Sequence, residues 1–147
     1  MKMDELMASE QEYQEMLTRW DREDKAREER MKELDELDQL TAKAKEMRKQ
    51  MNLLIPGKWA MIRVHYLEEE KPAQWIAQME GEGAEAYLID LEAQYRQKYE
   101  QMKKELKKKH GLNHVFQQKD FMGYTRAILA IEDEITYYLT QQLTEQA

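Results

Sequence analysis

The sequence predicts an all-α protein: a helical bundle with a long, charged, coiled-coil-like helix at its N-terminal end. Three observations carry that expectation. Residues 3–54 contain no proline and no glycine and are dense in Glu, Lys, Arg, Met and Leu, which are good helix formers. Downstream, apolar residues return at three- and four-residue spacings, the period of a helix face. No segment shows the two-residue alternation of a half-buried strand, and no repeat or low-complexity tail is present.

One helix over residues 3–54 would be about 75 Å long at ~1.5 Å per residue. That exceeds what a compact domain of 147 residues needs, so the helix must lean on its own downstream partners, a second copy or another protein. Leu6, Tyr13 and Trp20 recur at seven-residue intervals, with Met16 and Leu17 between them. The stripe lapses over residues 21–30, where Ala26 is the only apolar residue. That span is either an all-polar helix held by ion pairs such as Glu23 with Arg27, or a hinge. The stripe resumes at Leu34, Leu37, Leu40, Ala44, Met47, Met51 and Leu54 with coiled-coil spacing. This second stripe is expected to be covered either by folding back on the helices of Trp59 and Trp75 or in a homodimer, and the homodimer is preferred because it could cover both stripes through an isologous contact.

Ile55-Pro56-Gly57 is expected to end this helix, because the residue before proline is pushed from helical angles and glycine permits the turn. The chain then divides into a charged segment, residues 1–54, and a bundle, residues 57–147. A short apolar helix follows Gly57, with Trp59, Ile62, Tyr66 and Leu67 on one face at the centre of the core. Glu68, Glu69 and Glu70 are expected to close it as a solvated cluster. Pro72 suits a first helical turn and opens a helix carrying Trp75, Ile76 and Met79, which Gly81-Glu82-Gly83 breaks. Residues 84–109 carry the stripe Ala84, Leu88, Leu91, Tyr95, Met102 and Leu106, flanked by Tyr87 and Tyr99. Lysines in the last turn and Gly111 behind them suit a helix C-terminus. Asp120 reads as the N-cap of a final helix whose stripe is Phe121, Tyr124, Ile128, Ile131, Ile135 and Tyr138, with Leu139 beside it.

The bundle resembles the transposon-encoded TnpV family over residues 57–143. The residues that carry the resemblance are Gly57-Lys58-Trp59, Arg63, Tyr66-Leu67, the acidic run Glu68, Glu69 and Glu70, Pro72, and Tyr87-Leu88-Ile89. Arg126 and Glu134-Ile135 in the last helix are similar to the family's end. The break at residues 81–83 departs from a Gly-Lys-Leu type of turn, and residues 1–54 have no counterpart in the pattern. The resemblance implies carriage on a bacterial mobile genetic element and brings no defined activity with it. Any specialised function is therefore expected in residues 1–54.

Composition narrows the function classes. There is no cysteine, so disulfides and thiol nucleophiles are excluded. No apolar run approaches the ~20 residues of a membrane span, and the start of the sequence lacks a signal-peptide core, so a cytoplasmic protein is expected. Neither a glycine-rich phosphate loop nor a nucleophile elbow occurs, and no enzyme, cofactor or metal is expected. His110 and His114 have the four-residue spacing of a metal pair, but Gly111 lies between them at a helix end. His65 reads as a boundary residue rather than a base. The acidic run Glu132-Asp133-Glu134 points around its helix and reads as a solvated face.

Charge is unevenly placed. Residues 1–40 hold 14 acidic and 7 basic side chains, while the rest of the chain holds 16 of each, so the whole net charge of -7 sits on the first segment. Acidic helices repel bare nucleic acid and suit basic protein surfaces. Tyr13 and Trp20, on this charged segment, either pack on the downstream bundle or serve as anchors for a protein partner, with Glu12, Glu15, Asp21 and Glu28 beside them. The leading expectation is a non-enzymatic interaction factor of a mobile element, binding a protein such as a host defence nuclease of the CRISPR effector type. The alternative is a DNA-binding accessory of transposition or element maintenance, using Lys103, Lys104, Lys107, Lys108 and Lys109 on phosphates. Helix capping alone accounts for much of that lysine cluster.

Overall fold

A computed structural model describes the backbone of residues 3–145 and the side chains of residues 9–145. The side chain of Leu6, first in the predicted stripe, lies outside the described residues. Among the described residues six helices account for the regular structure: α1 Met3–Met51, α2 Lys58–Glu70, α3 Pro72–Glu80, α4 Ala84–Lys109, α5 His114–Lys119 and α6 Phe121–Glu145. Among the described residues there is no strand. The fold is all-α, as the periodicity predicts. The chain divides into two compact units, Met1–Ala42 and Lys43–Ala147.

The first unit consists of α1 alone. Residues 21–30 are helical throughout, so the hinge alternative is not realised. The helix continues because Glu, Arg and Lys lose little side-chain freedom in it, even with no apolar face to bury. Arg27 lies 3.8 Å from Asp24, one turn back, rather than pairing with Glu23 among the described residues. No side chain from Ser9 to Leu40 is buried; Met16, Leu17, Leu37 and Leu40 are half-buried and the rest exposed.

The second unit begins with the last turns of α1. This helix stops at Met51, three residues before the expected Leu54. Asn52 takes a left-handed conformation at φ 52°, which asparagine tolerates better than most residues. The N–H groups of Asn52 and Leu53 then reach back to the carbonyls of Lys49 and Arg48, closing the helix end before Pro56 has any influence.

The core is built around α2, which packs on α3, α4 and α6, while α4 and α6 pack on each other. Trp59, Ala60, Val64 and Leu67 of α2 are buried, as are Trp75, Ile76 and Met79 of α3 and Leu88 and Tyr95 of α4. From α6 come Ile131, Ile135, Leu139 and Leu143. The α6 stripe thus runs on to Leu143, and the predicted ends of it are corrected. Phe121 is 61% exposed and Tyr138 48%, because Tyr138 points about 100° away from its buried neighbour Leu139. The Trp59 ring sits 6.3 Å from that of Tyr95 and 5.8 Å from that of Tyr99, and the Lys58 ammonium lies 4.6 Å above the Trp59 ring.

Three buried polar contacts fix how the helices meet. Glu92 of α4 places one carboxylate oxygen 2.8 Å from the Ala60 N–H, in the first turn of α2, and the other 3.1 Å from Arg96 Nε. This satisfies one of the donors that every helix N-terminus leaves open. Arg63 donates to the Leu143 carbonyl at 2.7 Å, capping α6 with a cation, and to the Tyr87 hydroxyl at 3.2 Å. Glu68 is fully buried and accepts from Arg48 Nε at 2.7 Å and a second guanidinium nitrogen at 3.3 Å. The expected solvated cluster of residues 68–70 is therefore wrong at Glu68. It lies on the same face as Val64 and Leu67, and its pairing with Arg48 helps to make its burial tolerable. Glu69 stays exposed and pairs with Lys45 at 2.9 Å.

At the far end of α4 the chain folds back. Gly111 has φ 65°; its N–H and that of Leu112 reach the carbonyls of Lys108 and Lys107. Leu112 is buried against this end. The short helix α5, which periodicity misses, starts at Asn113, whose side chain accepts from the Phe116 N–H at 3.0 Å. Asp120 caps α6 as expected, accepting from the Gly123 N–H at 2.9 Å.

Candidate interaction surfaces

The acidic residues lie on a regular helix, so their geometry follows from ~100° of rotation per residue. Tyr13 and Trp20, seven residues apart, come to one face and are 54% and 53% exposed. Both rings stand mostly in solvent, without a core to join. Glu12, Glu15, Asp21 and Glu28 are also exposed, but they surround the helix instead of converging on the aromatic pair. Trp20, Glu23, Asp24 and Arg27 line a small open depression of about 260 Å³ along the side of α1.

The lysine segment at the end of α4 is only partly available. Lys103 is half-buried, 3.4 Å from Glu132 of α6, and 6.0 Å from the Tyr99 ring. Lys107 is half-buried and 5.9 Å from the Tyr124 ring. Lys104, Lys108 and Lys109 are exposed, and none forms an ion pair among the described residues. Two of the five candidate lysines therefore hold α4 to α6, and three face solvent.

Two features escape a reading by sequence period. One is a depression of about 360 Å³ between α2, α4 and α6, lined by Arg63, Tyr87, Asp90, Gln94, Tyr95 and Gln142 among others. Its two strongest polar groups, Arg63 and Tyr87, already bond each other and the α6 terminus. Burial pushes the Tyr95 hydroxyl above its ordinary pKa, and burial with the nearby Glu132 carboxylate does the same to Tyr99. Both are neutral donors at physiological pH. The other is an apolar corner where α5 meets α6: Val115, Phe116, Phe121 and Met122 are 57%, 37%, 61% and 63% exposed. Asn113 as an N-cap was the sequence signal for α5, but six residues are too few to show a face.

His114 bonds the Gln118 side chain at 3.0 Å, and among the described residues no cluster of three His, Asp or Glu side chains has metal-binding geometry. No helix among them is long and apolar enough to cross a membrane.

The class these observations define is an all-α protein with an acidic, exposed helix and a small bundle braced by buried ion contacts. Compared with models of protein families, with curated proteins and with solved structures, the chain matches none.

Proposed function

We propose that this chain is a non-enzymatic, cytoplasmic interaction factor of a bacterial mobile genetic element, acting through α1 on a basic surface of another protein. A host defence nuclease is the partner that suits it, because the channel through which such an enzyme holds nucleic acid must be basic. The single observation that carries the reading is that the entire net charge of -7 lies on residues 1–40, of which none from 9 to 40 is buried. A charge excess of that size, on exposed side chains, is available to a partner of opposite sign. The resemblance of residues 57–143 to the TnpV family supports the mobile-element setting.

The DNA-binding reading ranks second. Lys104, Lys108 and Lys109 favour it, while the use of Lys103 and Lys107 within the bundle weakens it.

Adding the purified chain to DNA-cleavage reactions of defence nucleases tests the leading reading. Inhibition that is relieved by salt, and lost on replacing Glu12, Glu15, Asp21 and Glu28 together by Gln or Asn, is the expected result. Inhibition that survives those replacements removes the acidic helix from the mechanism.

A further inference from the structure

The exposed face of α1 carries its own complement. Tyr13, Trp20, Arg27 and Leu34 recur every seven residues, and Met16, Glu23, Arg30 and Leu37 follow each of them by three. These are the two inward positions of a coiled-coil repeat. The face is unpartnered within the first unit: Tyr13, Trp20 and Leu34 are 54%, 53% and 59% exposed, and the Arg27 side chain 65%.

We propose that this face is a homodimer seam, and that the two copies of α1 run antiparallel about a dyad near residue 25. Charge decides the direction. A parallel pair would stack Glu23 on Glu23, Arg27 on Arg27 and Arg30 on Arg30, three like-charged layers in succession. In the antiparallel register, Glu23 meets Arg27 of the second copy and Trp20 meets Arg30, an ion pair and a cation–π contact. Met16 then meets Leu34, and Tyr13 meets Leu37, apolar on apolar at both ends of the seam. The flanking positions agree: Leu17 faces Met31 of the second copy, and Arg19 faces Glu33. Each of these contacts occurs twice by symmetry. The unfavourable pairs are Asp24 with its own copy at the dyad and Glu10 with Asp38; Asp24 is partly offset by Arg27 at 3.8 Å.

The polar decad acquires a role in this arrangement. It sets direction and register, as buried polar positions do in other coiled coils, at some cost in affinity. Glu15, Asp21 and Glu28 stay on the outer faces, so the dimer presents two acidic surfaces while Tyr13 and Trp20 serve the seam. This goes beyond the proposed function and does not depend on it.

The chain has no cysteine, so introduced thiols report cleanly. The test uses the full chain carrying Met16→Cys or Leu34→Cys, oxidised separately and as a mixture. In the antiparallel dimer, like positions lie about 27 Å apart at ~1.5 Å per residue, so neither variant links to itself and the mixture gives a disulfide-bonded pair. Self-linking of either variant alone would show a parallel seam and overturn the proposal. So would a mass near 17.8 kDa by light scattering at high concentration. Charge exchange gives a second readout. Arg27→Glu is expected to weaken dimerisation about tenfold or more, and Glu23→Arg with Arg27→Glu to restore it to within about threefold. Failure of the exchanged pair to recover any affinity would place Arg27 outside the seam.

Discussion

Gly57→Ala is expected to destabilise the bundle through one atom, and the size follows from where that atom goes. Gly57 has φ -179° and ψ -168°, extended angles that alanine adopts freely, so the backbone is not the obstacle. A Cβ there would overlap Glu92 Oε1 and sit 2.5 Å from Glu92 Cδ and 2.9 Å from Arg96 Nη2. Glu92 has little room to yield, because it is 4% exposed and bonds both the Ala60 N–H and Arg96. Displacing it breaks the bond to Ala60 and leaves a buried donor open at the start of α2. Loss of a charge-assisted hydrogen bond in such a place costs about 2–3 kcal/mol. Glu92→Ala should cost about the same, since it removes the same bond. The double variant should be no worse than Glu92→Ala alone, a coupling of about 2 kcal/mol. Urea unfolding followed by the fluorescence of the buried Trp59 and Trp75 measures all three, with the dependence on urea unchanged. Additive costs, agreeing within about 0.5 kcal/mol, would refute the reasoning, because the two residues would then act through different contacts.

Other outcomes follow from the same contacts. Arg48→Met removes the bidentate partner of the fully buried Glu68 and should cost about 3 kcal/mol in the same urea assay, whereas Lys45→Met, at an exposed pair, should leave the midpoint in place. Arg63→Met uncaps α6 at Leu143 and loosens Tyr87, at about 2 kcal/mol; hydrogen exchange should report it first in the last turn of α6. Tyr95 and Tyr99 have raised pKa values in the folded chain, so their contribution to stability is complete below about pH 10, the unfolded value, and is lost as pH rises through the folded values. Thermal melts should therefore be flat from neutral pH to about pH 9 and fall above pH 10, and Tyr95→Phe should reduce that fall.

The helices were legible because periodicity and capping agree over long segments. Residues 84–109, with their stripe, terminal lysines and Gly111, left little to decide. What escaped the sequence was the partner of each polar residue. Glu68 lies within an acidic triplet, and nothing local distinguishes it from Glu69; Arg48, twenty positions earlier, does. Gly57 reads as a turn glycine, yet its lack of a side chain matters because a carboxylate from α4 comes to rest beside it. Asn52 ended α1 before Pro56 because one left-handed residue suffices. For the candidate site, the charged residues around Tyr13 and Trp20 suggested exposed rings, but their helical spacing favoured packing on the downstream helices; the structure leaves both about half exposed. The division of the lysines was not legible, since it depends on Glu132 and Tyr124 of another helix.

The central functional claim is that α1, and not the lysine end of α4, meets the partner. Photo-crosslinking in bacterial cells tests it most directly, with a benzophenone side chain placed singly at Glu15, Asp21, Glu28, Lys104 or Lys108, all exposed positions. The account expects protein adducts from the three α1 positions, larger than a dimer of the chain, and none from the two lysine positions. Adducts arising only from Lys104 and Lys108, or adducts to nucleic acid, would contradict it.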